Sequence, residues 1–237
     1  VTFGRRQSYD AVLTRLDAWR LGQDPAGIKT FDAGTTLPLR FCSDDGVRFP
    51  PTFLADISDA ESKLARLKSD VSRHMDVFAR NPRRLLDRYF DFIGARLNAE
   101  RAALDASLQP LGGLFRVEDW AYAALRPMPN AIVFDADDTE NPPVPVTHDI
   151  AFWTGQTVLA IRVSGSGTPP PRELEARHRL QGMGVDIVTI PAADLAAGRE
   201  PFSDSRFPLE FRNFWHGAPY PCSPFRPQGL PFALPSG

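Results

Sequence analysis

Three groups of residues in this chain have the types and spacing for chemistry. The first is Asp149, in the run Thr147-His148-Asp149-Ile150-Ala151-Phe152, near the start of an apolar stretch. A carboxylate in such a place can hold a cation or exchange a proton. The second is the acidic run Asp135-Ala136-Asp137-Asp138-Thr139, directly behind Ala131-Ile132-Val133-Phe134. Its plain reading is a strand running into an acidic, solvated turn. The third is a basic cluster, Arg80, Arg83, Arg84 and Arg88, with Arg73 nearby. Guanidinium groups can grip phosphates. Asp76, Asp87 and Asp91 lie among them, so a salt-bridged, solvated face is the expectation. The histidines at 74, 148, 178 and 216 are scattered. The sequence contains no Ser/His/Asp order, zinc spacing or P-loop. Gly165-Ser166-Gly167, with three prolines behind it, reads as a connector.

The elements that must position these residues are legible from periodicity. Val12, Leu13, Leu16 and Trp19 predict a short amphipathic helix over 9–21. Short strands are expected at 38–42 and 47–54. Ser58 and Glu61 fit a capping box. Leu64, Leu67, Val71, Met75 and Phe78 follow on one helical face. Pro82 is expected to stop that helix and to sit in the first turn of the next. Leu86, Phe90, Ile93, Leu97, Leu104 and Leu108 line the second helix, which Pro110, Gly112 and Gly113 end. Together they predict a helical hairpin. A short helix (117–125), an extended segment (131–135), strands at 146–153 and 157–164, a helix at 171–181 and a strand at 185–190 complete the pattern. Gly182 and Gly184 end that last helix. The strand alternation places Asp149, Ala151 and Trp153 on one face, and Ala160, Arg162 and Ser164 on one face of the next strand. His148 points away from the Asp149 face if its strand is regular.

The αβββαβ order over 115–190, with Asp149 opening its second strand, resembles the core of the PD-(D/E)XK, or restriction-endonuclease-like, nuclease superfamily. The resemblance covers about a third of the chain. It implies an α/β (α+β) fold with a small mixed sheet. It also implies a Mg²⁺-dependent hydrolase acting on nucleic acid, with an aspartate on one strand and acid-x-lysine on the next. Asp149 matches the first acid. If Arg162 replaces the lysine, Ala160 stands at the acid position; if Ser164 replaces it, Arg162 does. Either way the second strand carboxylate is missing. Glu118, on the preceding helix, is the acid that the resemblance offers instead. The expected site is therefore Asp149 and Glu118 as metal ligands for Mg²⁺, with Arg162 facing phosphate. The expected protein is a divergent nuclease that binds or cleaves nucleic acid with reduced or lost activity.

Two other classes stay open. Asp135-x-Asp137-x-Thr139 after an apolar strand resembles the first motif of haloacid-dehalogenase-like phosphatases. That resemblance implies Asp135 as nucleophile and Asp137 as acid/base. The third class is a non-catalytic assembly module that binds a protein partner, or a second copy of itself, through the hairpin and the C-terminal arm. That arm carries Phe202, Phe207, Phe211, Phe214, Trp215, Tyr220, Phe225 and Phe232 among prolines. So many aromatics do not stay in water, and the arm is expected to pack over its own core or on a partner.

The 237 residues suffice for a sizeable core, and the net charge of −2 excludes a chain-wide nucleic-acid binder. No apolar run is long enough to span a membrane. Neither a signal-peptide core nor metal spacing of Cys42 and Cys222 is present, so a reducing cytoplasm is the expected setting. The expected organisation is an N-terminal segment (1–57), the hairpin (58–110), the α/β core (111–198) and the arm (199–237).

Overall fold

A computed structural model of the chain describes residue 49 and residues 60–73, 75, 80–133, 146–154, 157–165, 171–216, 218 and 221. The expected helix at 9–21, the strand at 38–42, the Ser58 cap and most of the strand at 47–54 lie outside these residues.

The chain folds as a mixed α/β protein around a four-stranded sheet. The strands are β1 (Met128–Val133), β2 (Val146–Trp153), β3 (Val158–Ser164) and β4 (Val185–Pro191), in that spatial order. Neighbours β1/β2 and β2/β3 are antiparallel, and β3/β4 are parallel. A parallel pair needs a crossover, and the helix at Pro171–Gly182 supplies it. Gly184, at φ +86°, makes the left-handed turn into β4, a conformation that a side chain would oppose.

The hairpin consists of α1 (Ala60–Ser72), α2 (Arg80–Ala99) and α3 (Arg101–Leu108); the crossover helix is α4. Two details differ from expectation. First, α1 ends at Ser72, well before Pro82. Ser72 Oγ donates to Lys68 O at 2.8 Å, and such bonds compete for the last helical carbonyls. Pro82 sits in the first turn of α2, as its missing N–H allows. Second, the long second helix is divided at Glu100, whose φ of −102° departs from helical geometry. The short helix ahead of β1 is a 3-10 helix, Val117–Ala123.

Apolar side chains cover both faces of the sheet. On one face Ile150, Phe152, Leu159 and Ile161 pack with Leu86, Ile93 and Trp120. Phe202, Phe207, Phe211 and Phe214 join the same core. On the other face Met128, Ala151, Val158, Ala160 and Val185 pack against Ala176 and Leu180 of α4. The result is three layers: hairpin, sheet, α4. Two further short helices, α5 (Ala192–Ala196) and α6 (Leu209–Arg212), follow β4. Among the described residues, no helix is long and apolar enough to cross a membrane.

Candidate functional site

The sheet forks at Asp149. Strands β2 and β3 pair from Ile150↔Ile161 to Trp153↔Val158, whereas β3 goes on pairing with β4 as far as Ser164↔Pro191. Where β2 leaves β3, the side chain of Asp149 crosses the gap: its Oδ2 accepts the Val163 N–H at 2.6 Å. A carboxylate thus replaces a ladder carbonyl at the fork.

The other side of β2 is irregular on the same rung. Pairs Met128↔Ala151 and Ala131↔His148 bracket Asn130 against Asp149. Asn130 has φ +51°, a left-handed conformation that asparagine tolerates better than most residues. Met128 and Ala151 belong to the α4-side core, and so do Val133 and Val146. Each strand advances five positions between those residues, an odd step, so strict alternation would put them on opposite faces. Both strands therefore change face at this rung. His148, paired with Ala131, falls on the α4 side. The expectation that it points away from Asp149's face assumed a regular strand, and the kink removes that premise.

Arg162 stands beyond the last β2–β3 pair, on the α4 face with Ala160 and Val158. Its guanidinium pairs with Glu173 of α4. Arg177, one turn further along α4, donates to the same Glu173 Oε1 at 2.6 Å. Burial pushes the Asp149 carboxyl up, partly offset by the Val163 N–H and by Arg162. Burial, with Arg162 adding to it, holds His148 down to about 4. His148 is 1% exposed, and neither ring nitrogen has a hydrogen-bond partner among the described residues. Arg177 Nε is likewise buried without a partner. A left-handed asparagine, a carboxyl pushed up by burial, a buried imidazole unpartnered among the described residues and two converging arginines thus lie close together in the fold. Such coincidences make the fork the candidate site.

Of the expected site residues, Asp149 and Arg162 come together and Glu118 does not join them. Glu118 lies on the 3-10 helix, paired with Arg101 of α3 at 2.8 Å. Burial raises its carboxyl, but its backbone hydrogen bond, Arg101 and Lys63 outweigh that and leave it lowered. Asp149 instead answers to Val163 and Arg162. The fork as arranged does not fit Mg²⁺. One oxygen of Asp149 is committed to the Val163 N–H, burial pushes its carboxyl up, and the neighbouring Glu173 carboxylate is already held by two guanidiniums. Among the described residues, no three His, Cys, Asp or Glu side chains form a group able to hold a metal ion. Asp135 and Asp137 lie outside the described residues. The strand ahead of them, β1, is antiparallel to its neighbour and, among the described residues, lies at the sheet edge, whereas a phosphatase of that class would use a central parallel strand.

Two features were missed in the sequence. Glu173 reads as a surface residue of a charged helix; its one signal is the i,i+4 spacing to Arg177. Lys63 and Asp119 form a buried ion pair, with Lys63 over the Tyr122 ring at 5.5 Å. Asp119 also accepts the Arg116 N–H at 2.8 Å. Two members of the basic cluster, Arg73 and Arg88, are in ion pairs, as expected of a salt-bridged face. Lys68 pairs with Asp87 at 2.5 Å, Arg88 with Asp91 at 3.1 Å, and Arg73 with Asp70.

No family model, curated protein or solved structure matches this chain.

Proposed function

We propose that this chain is a divergent nuclease-like protein that binds nucleic acid at the β2–β3 fork, with metal-dependent cleavage reduced or lost. The observation that carries the reading is Asp149 at the fork with Arg162 beside it on the next strand. The strand order, the parallel β3/β4 pair and the α4 crossover support the restriction-endonuclease-like reading of the core. The electrostatics support binding over cleavage: the fork has two guanidinium groups for a phosphate, while its carboxylates are engaged, Asp149 by the Val163 N–H and Glu173 by the arginines. The assembly-module reading draws less support. The apolar faces of the hairpin and of residues 199–216 are turned into the chain's own core, and among the described residues the exposed large hydrophobics are Leu114, Leu174, Met183 and Leu209, from separate parts of the sequence.

The test is oligonucleotide binding, measured by fluorescence anisotropy at two salt concentrations, on the wild type, Arg162→Ala and Asp149→Asn. Asparagine keeps an oxygen for the Val163 N–H and removes the charge. Binding is expected to weaken with salt and to fall about tenfold in Arg162→Ala, with Asp149→Asn unchanged or tighter. Binding indifferent to Arg162 sinks the proposal. Calorimetric Mg²⁺ or Mn²⁺ uptake that Asp149→Asn abolishes, together with cleavage, would show an active nuclease instead.

A further inference from the structure

We infer that Arg162 and Arg177 form a cradle for a phosphate group, and that Glu173 is its built-in occupant, displaced when the ligand enters. The inference deepens the nucleic-acid reading above and rests on it for the source of the phosphate.

The two guanidinium groups come from different elements, Arg162 from β3 and Arg177 from α4, and converge on one oxygen, Glu173 Oε1. Two guanidiniums on a single oxygen is the arrangement that a phosphate oxygen receives from an arginine pair. Among the described residues, the cradle holds more donors than acceptors. Two guanidiniums share the Glu173 carboxylate, and one oxygen of Asp149, beside Arg162, is already taken by Val163. The shortfall is visible: among the described residues, Arg177 Nε and the His148 ring are buried without partners. A carboxylate has two acceptor oxygens in a plane. A phosphate presents three or four in a tetrahedron and can satisfy donors that Glu173 leaves unmet. Side-chain exposures of 30% for Arg162, 14% for Arg177 and 24% for Glu173 leave the cradle open enough to exchange its occupant.

The test compares wild type, Glu173→Gln, Glu175→Gln and the double variant Glu173→Gln/Arg177→Ala. Glu175 is exposed on the same helix, so its substitution makes the same charge change away from the cradle. Inorganic phosphate and a 5′-phosphorylated oligonucleotide are titrated separately at constant ionic strength, and thermal melts establish that each variant folds. Glu173→Gln is expected to bind phosphate about tenfold tighter than wild type, Glu175→Gln to match wild type, and the double variant to lose the gain. A Glu173→Gln affinity equal to that of Glu175→Gln overturns the cradle. So does a gain that survives loss of Arg177. The two readings separate in the oligonucleotide arm. Tighter phosphate with no oligonucleotide binding in any variant keeps the cradle and overturns the nucleic-acid reading. Oligonucleotide binding that ignores Glu173, with phosphate unaffected, does the reverse.

Discussion

His148 is the residue whose chemistry is most exposed to measurement. Its imidazole is buried beside Arg162 and held down to about 4, so it is neutral in the folded protein near pH 7. In the unfolded chain it titrates near the ordinary 6.5. Between those values the unfolded state holds a proton that the folded state lacks, so stability declines as pH falls. The loss begins near pH 6.5, is complete below about pH 4, and amounts to about 3 kcal/mol. His148→Leu removes both unpartnered nitrogens and the titration. Denaturant unfolding from pH 7 to pH 4 is expected to show a smaller decline in the variant, with stability at pH 7 equal or higher. Parallel pH profiles in the two proteins would mean that the imidazole finds a partner or stays solvated.

At the scale of elements, the join between hairpin and core depends on charge as well as on apolar packing. Lys63 on α1 and Asp119 on the 3-10 helix are both buried, and Asp119 also holds the backbone that enters that helix. Lys63→Met leaves a buried carboxylate unpaired and is expected to cost about 3–5 kcal/mol. Adding Asp119→Asn removes the stranded charge and keeps an acceptor for the Arg116 N–H. The double variant should therefore recover most of the loss in thermal or denaturant unfolding. Additive losses in the double-mutant cycle would contradict direct pairing.

Across the whole molecule, residues 199–216 act as part of the core. Phe211 is 1% exposed and packs with Phe152 of β2 at 4.9 Å and Tyr89 of α2 at 5.4 Å between ring centroids. Tyr89 in turn donates its hydroxyl to Leu125 O at 2.6 Å, so one aromatic cluster ties hairpin, sheet and C-terminal segment together. Phe211→Ala is expected to cost about 3–5 kcal/mol and to lower the melting temperature as one cooperative transition. A melt that instead splits in two would show that the C-terminal segment is an attached arm.

What was legible in the sequence follows one physical rule. Periodicity belongs to neighbours along the chain, so the strand at 146–153, the helix and strand after it, and the apolar face of the hairpin were readable from local pattern alone. The sequence by itself determined an α/β chain with Asp149 and Arg162 on successive strands. Tertiary structure decided the rest. It brought Glu173 and Arg177 to Arg162, sent Glu118 to Arg101, buried Lys63 against Asp119, and folded the aromatic segment onto its own sheet. It also turned Asp149 into the fork, because the backbone kink opposite Asn130 appears only when β1 and β2 pair. Each of these outcomes depends on which distant groups meet and how much water they lose. Side-chain spacing along a chain carries no record of that.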